Sequence, residues 1–99
     1  MENWLYVMML EKEKTYSKMT RAVVERHVDN IRKLDNSGHL ALCGPFKGYP
    51  GMAGMFVIKA ESYEAAKALC DMEPLVVEGF ASYKLYRLQA ATKENNYLL

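Results

Sequence analysis

Only two cysteines, Cys43 and Cys70, occur in the 99 residues, and they show no Cys-x-x-Cys spacing. Both sit in apolar segments, where cysteine acts as a small hydrophobe, so a reduced, cytoplasmic setting is expected. Charge excess is missing as well. Thirteen Lys and Arg stand against twelve Asp and Glu, a net charge of +1 with no long block of either sign. This leaves no basic footprint for duplex nucleic acid or an anionic membrane. Long apolar runs are equally scarce. Trp4 to Leu10 is the longest near the N-terminus and is too short to span a bilayer; it follows Glu2 rather than a basic cluster and has no small-residue cleavage site. The expectation is no membrane partner, no nucleic-acid partner and no signal peptide. No internal repeat, low-complexity segment or second domain is evident, and residues 1–99 read as a single domain with a polar tail from Thr92.

What is present points to a globular fold, since 51% of the chain is hydrophobic. A domain this small buries only about 60 to 70% of the surface its unfolded chain exposes, so self-association would help cover the rest. Residues 3–10 read as a strand ending in the charged turn Glu11 to Lys14. Thr20 is a good N-cap for a helix running to Asn36, with Gly38 placed to end it. Leu40 to Cys43 and Gly54 to Lys59 are short strands separated by the turn signal Gly48-Tyr49-Pro50-Gly51. Ser62 caps a second helix with Glu64 in its first turn and Ala65, Ala66, Leu69 and Cys70 on its apolar side. Pro74 redirects the chain into an extra helical turn ending at Gly79, and Ser82 to Leu88 is the last strand.

The order is βαββαβ, which suggests an α+β, ferredoxin-like fold: a four-stranded antiparallel sheet with two helices on one face. In a sheet covered on one face only, apolar and polar residues should alternate. Here Trp4, Tyr6, Met8 and Leu10 interleave with Leu5, Val7 and Met9, and Met55 to Ile58 repeat the pattern. Both faces are apolar, so a second copy of the chain is expected to cover the face away from the helices.

In the first helix, Val24, His27, Val28, Ile31 and Leu34 share one face at roughly 100° per residue. The only ionisable side chain in this stripe is the His27 imidazole, so His27 is expected to point inward as either a packed residue or a working base. The carboxylates able to meet it lie in Asp71-Met72-Glu73-Pro74, because the two helices pack side by side over the same sheet face. Glu73 is the better placed, and two readings compete for it. A carboxylate before proline can cap the next helical turn, but glutamate is not a preferred N-cap and has the length to reach an imidazole. In the second reading His27 and Glu73 form a base and its orienting partner, the minimum equipment for removing a proton next to a carbonyl. His27, His39, Cys43 and Cys70 show no metal-ligand spacing, so neither metal nor cofactor is expected. Cys43 has no adjacent base to activate it, and His39 reads as a solvated turn residue. An RNA-recognition motif shares the element order. Met52 to Lys59 keeps only Phe56 and Val57 of its third-strand pattern, however, and the stacking platform is incomplete.

The strand Leu5-Tyr6-Val7, the helix segment His27 to Leu34, the run Gly38 to Phe46, Gly54 to Ile58 followed by Ser62 to Ala66, and Glu73 to Gly79 together resemble the YciI-like (YCII-related) family. Its members are small dimeric α+β barrel proteins similar in fold to muconolactone isomerase. The resemblance implies a homodimer and a pocket in each subunit lined by a histidine and an acidic residue. His27 matches the histidine, and Glu73 occupies the position of the family's aspartate, with Asp71 as the other candidate. It also implies a cofactor-free isomerase or lyase acting on a small molecule, the alternative being a protein that binds or senses a small ligand without chemistry.

Overall fold

The computed structural model describes residues 4–99. In chain order these form β1 (Trp4–Lys12), a 3₁₀ turn (Tyr16–Lys18), α1 (Arg21–Asn36), β2 (Leu40–Pro45), β3 (Met52–Ile58), α2 (Tyr63–Asp71), the single turn α3 (Pro74–Val77), β4 (Ala81–Gln89) and a C-terminal 3₁₀ segment (Lys93–Leu98). The strands make one antiparallel sheet in the order β2-β3-β1-β4. This is the expected α+β, ferredoxin-like arrangement.

The element ends follow from local chemistry. The Thr20 hydroxyl accepts from the Val23 amide to open α1, and the Ser62 hydroxyl accepts from the Ala65 amide to open α2, each satisfying a donor that the helix itself leaves unpaired. Gly38 takes φ +80°, the left-handed conformation that ends α1. β2 runs two residues beyond the expected Cys43, because Gly44 and Pro45 pair with Met55 and Gly54. Proline is tolerated there since β2 is an edge strand. At Gly54 the strands approach so closely that a Cβ would lie 2.4 Å from the Gly44 carbonyl oxygen.

Alternation in β1 sorts its side chains. Tyr6, Met8 and Leu10 are buried with Phe56 and Ile58 of β3 and with Ala66, Cys70, Val23 and Leu34 of the helices. The alternate residues form the other face, where Leu42, Val57, Val7 and Tyr86 lie in one cross-strand row through the pairs Leu42–Val57, Val7–Val57 and Val7–Tyr86. Leu42, Tyr86 and Leu88 are exposed. The inward line of α1 keeps His27, Ile31 and Leu34 of the expected stripe but not Val24 or Val28, which lie on an outer groove with Arg21, Glu25, Asp29 and Arg32. Val23 is buried and Val24 is exposed, so the line reads Val23, His27, Ile31, Leu34. On α2 likewise, Ala66 and Cys70 are buried while Ala65 is exposed. No helix among the described residues is long and apolar enough to cross a membrane.

Candidate active site

The inward line of α1 carries His27 toward α3, the turn that follows α2. Pro74 occupies the first position of that turn, where its missing N–H leaves nothing unsatisfied. Glu73 is therefore the N-cap. Its side chain is 1% exposed and makes two contacts. Oε2 accepts from the Leu75 amide at 2.6 Å, the capping bond. Oε1 is hydrogen-bonded to His27 Nδ1. Glu73 therefore makes both contacts at once, capping α3 with one carboxylate oxygen and meeting the imidazole with the other.

The imidazole is fixed on a second side by Phe56 of β3, whose ring it meets edge to face with centroids 5.9 Å apart and planes at 77°. Arg26, the preceding residue of α1, pairs with Glu78 just beyond α3, its Nε 3.1 Å from Oε2. That pair is solvent-facing and worth at most about 1 kcal/mol, so it aligns the helix more than it stabilises it. A carboxylate only accepts, so the hydrogen between His27 and Glu73 sits on Nδ1 and the lone pair of the neutral ring falls on Nε2.

His27 lines a cavity of about 140 Å³ between α1, the start of β3 and the end of β2. Its walls are largely apolar, from Leu10, Ile31, Pro45, Phe56 and Leu75, and Tyr16 and Cys43 also face it. Burial and the nearby Asp35 charge both push the Cys43 thiol up, which keeps it protonated and a poor nucleophile. Cys70 is buried in the core, and its thiol is pushed up to about 12, mainly by desolvation.

Asp71 does not reach His27. It stays on the exposed side of α2, accepting from Lys67 Nζ at 2.8 Å and from Tyr83 Oη at 2.5 Å. The bond from Lys67, then that from Tyr83, hold its carboxyl below the usual range, while burial and the Asp71 bond push Tyr83 up to about 12. His39 is more than a solvated turn residue: Nδ1 lies 2.9 Å from the Lys59 carbonyl oxygen, and the Lys59 amide donates back to the His39 carbonyl, tying the start of β2 to the end of β3. Among the described residues no three of His, Cys, Asp and Glu are grouped to hold a metal ion.

Sequence reasoning missed Tyr16, which lies in a polar connection with no periodicity. The fold places it there through the 3₁₀ turn. Thr15 Oγ1 donates to the Gly79 carbonyl at 2.7 Å, and the Glu13 amide donates to the Phe80 carbonyl at 3.0 Å. The signal available was a Thr-Tyr pair in a loop too short to stray far from the sheet end.

Among solved structures, the 5-chloro-2-hydroxyhydroquinone dehydrochlorinase of Burkholderia phenoliruptrix AC1100, in complex with 2,5-dihydroxybenzoquinone, is similar at a TM-score of 0.73 with 12% identity, covering 91% of this chain and 97% of its own. A variant of MhuD with two manganese protoporphyrin IX molecules per active site aligns at a TM-score of 0.47 with 16% identity, covering 90% of this chain and 95% of its own. No curated protein sequence matches. The family model of the YCII-related domain matches residues 5–89, nearly the whole chain, and the protein belongs to that family.

Proposed function

We propose that this protein is a cofactor-free isomerase or lyase that removes a proton next to a carbonyl group in a small molecule. The observation that carries this reading is the His27–Glu73 pair set in the wall of an apolar cavity. His27 Nε2 takes the proton as general base. The C–H pair becomes the double bond of an enolate, and the imidazolium is stabilised by the Glu73 carboxylate at Nδ1. The enolate then either recovers the proton at a different carbon, giving an isomer, or expels a leaving group as an anion, giving an unsaturated product. The second course leaves a proton on His27 that is lost to water. The dehydrochlorinase of Burkholderia phenoliruptrix supports the reading to this extent: its fold carries chemistry on a small molecule.

Thermal shift across a set of small carbonyl compounds, with product analysis of each hit, tests the proposal. Hits should be converted by the protein and returned unchanged by His27→Ala. Stabilisation by a ligand that both proteins return unchanged would instead make this a binding or sensing protein.

The working unit we propose is a homodimer formed by apposing the outer sheet faces. The row Leu42, Val57, Val7 and Tyr86, extended by Leu5, Met9, Met55 and Leu88, is the apolar surface this requires. A standard interface buries about 800 Å² per partner, more than an isolated four-stranded sheet can leave apolar in water without cost. The free thiols of Cys43 and Cys70 fit a reducing, cytoplasmic setting.

A further inference from the structure

We infer that the cavity takes a neutral, single-ring carbonyl compound, and that Tyr16 donates its hydroxyl hydrogen to the substrate oxygen while His27 works on the neighbouring proton. The inference rests on the proposed proton abstraction and adds the substrate class and a second group that touches it.

The ring follows from size. A cavity of about 140 Å³ is close to the roughly 150 Å³ apolar cavity that holds benzene, so a six-membered ring matches it in size. Neutrality follows from the lining. No Lys or Arg is among the described residues that face the cavity, and an anionic group there would be desolvated without a counter-charge. Lys12, at the end of β1, lies with Nζ 5.0 Å from the centre of the Tyr16 ring and outside the lining. A positive substrate fares no better, since Glu73 is already committed at both oxygens.

The oxygen contact follows from the inventory of side-chain donors. Besides His27, the lining offers one hydroxyl, Tyr16, and one weak donor, the Cys43 thiol. None of the side-chain hydrogen bonds among the described residues occupies the Tyr16 hydroxyl. The turn and the ring of Tyr16 are held from three sides. Thr15 Oγ1 anchors the turn to Gly79, the Glu13 amide anchors it to Phe80, and Lys12 holds the ring face. Gly79 and Phe80 lie two and three residues past the end of α3, so the segment that carries Glu73 also anchors the turn that carries Tyr16, and Tyr16 and His27 line the same cavity. A phenol donor aimed at a carbonyl oxygen gains strength as negative charge develops there, which favours the enolate over the ketone. No proton need leave Tyr16.

The test uses cyclohexanone as a neutral ring ketone and benzoate as an anion of similar size, titrated into the wild type and Tyr16→Phe while the His27 ring signals are followed by NMR. Cyclohexanone should shift those signals, and Tyr16→Phe should bind it about five- to tenfold more weakly, the loss of one hydrogen bond. Benzoate should leave the signals in place. Equal cyclohexanone affinity in both proteins, benzoate binding as tight as cyclohexanone, or no response to cyclohexanone up to its solubility limit would each overturn the inference. Deuterium uptake at the cyclohexanone α-carbon in D₂O separates this from the underlying reading. Tyr16-dependent binding without exchange sensitive to His27→Ala removes the base role and leaves the ligand assignment standing. Exchange lost in His27→Ala but unchanged in Tyr16→Phe does the reverse.

Discussion

Replacing Glu73 by Gln changes one oxygen for an NH₂ group of nearly the same size, and the structure dictates which way the amide must turn. The Leu75 amide donates to Oε2 in a buried setting, so the remaining oxygen of Gln has to stay there. The opposite orientation would set NH₂ against N–H and leave the Leu75 donor unpaired, at a cost of about 1–3 kcal/mol. The NH₂ therefore faces His27 Nδ1, which must now accept, and the ring hydrogen moves to Nε2. The nitrogen to which the proposed function assigns the base role becomes a donor. Activity should fall by about 10²-fold or more, the usual worth of a general base, while the fold loses only about 1 kcal/mol because the cap survives. Glu73→Ala removes both contacts. The buried Leu75 donor then costs its full penalty, His27, whose side chain is 22% exposed, costs less, and a small void remains, so the loss should reach about 2–5 kcal/mol. Urea unfolding gives the stabilities, and ¹⁵N chemical shifts of the imidazole nitrogens report the tautomer directly. A Glu73→Gln protein whose His27 keeps its hydrogen on Nδ1 would refute the reasoning, whatever its activity.

Gly54→Ala places a Cβ 2.4 Å from the Gly44 carbonyl oxygen, so β2 must shift; a loss of about 1–3 kcal/mol is expected in urea unfolding. If the proposed dimer forms, light scattering should give a mass of two chains for the wild type and of one chain for Val7→Lys, which sets a charge in the centre of the outer apolar row. Asp71 has a lowered pKa in the folded protein, so its contribution to stability is present above the unfolded value of about 3.9 and is lost as pH falls through the folded value. The stability gap between wild type and Asp71→Asn should therefore close on acidification below about pH 4. At pH 8 a thiol reagent should modify Cys43 slowly and leave Cys70 untouched, because only Cys70 is fully buried with its thiol pushed up to about 12.

Much of the fold was legible because its signals are local. Thr20, Gly38, Ser62 and Pro74 act within one turn of their own positions, and the alternation in β1 needs no partner to be read. The phase of α1 was not legible to the residue. Val23 and Val24 are adjacent valines, and either completes an apolar line with His27, Ile31 and Leu34. The choice is made by packing against the sheet and α3 together, to which Arg26 adds its contact with Glu78. The site was legible as residue types and not as a contact, since His27 and Glu73 are 46 positions apart. The choice between Asp71 and Glu73 turned on a feature nearer at hand. Lys67 stands four residues before Asp71 on the outer side of α2, the spacing that makes a helical ion pair. Tyr16 gave no periodic signal, because what places it is a pair of loop hydrogen bonds to residues more than sixty positions away.

Cap and catalytic partner looked like rival roles for Glu73 because each was weighed as if the side chain had one acceptor. A carboxylate has two oxygens, and glutamate has the extra methylene that lets one oxygen return to the Leu75 amide while the other extends to α1. The length that makes glutamate an uncommon N-cap is what allows it to make both contacts. The turn that opens at Glu73 ends at residues that hold the Tyr16 loop, so one buried carboxylate sets the helix start, the imidazole tautomer and, through the backbone, the far wall of the cavity. Under the proposed function stability and chemistry are linked at this residue, and truncation alone cannot tell them apart. The amide substitution can, because it keeps the hydrogen bond that the fold needs and reverses the one that the base needs.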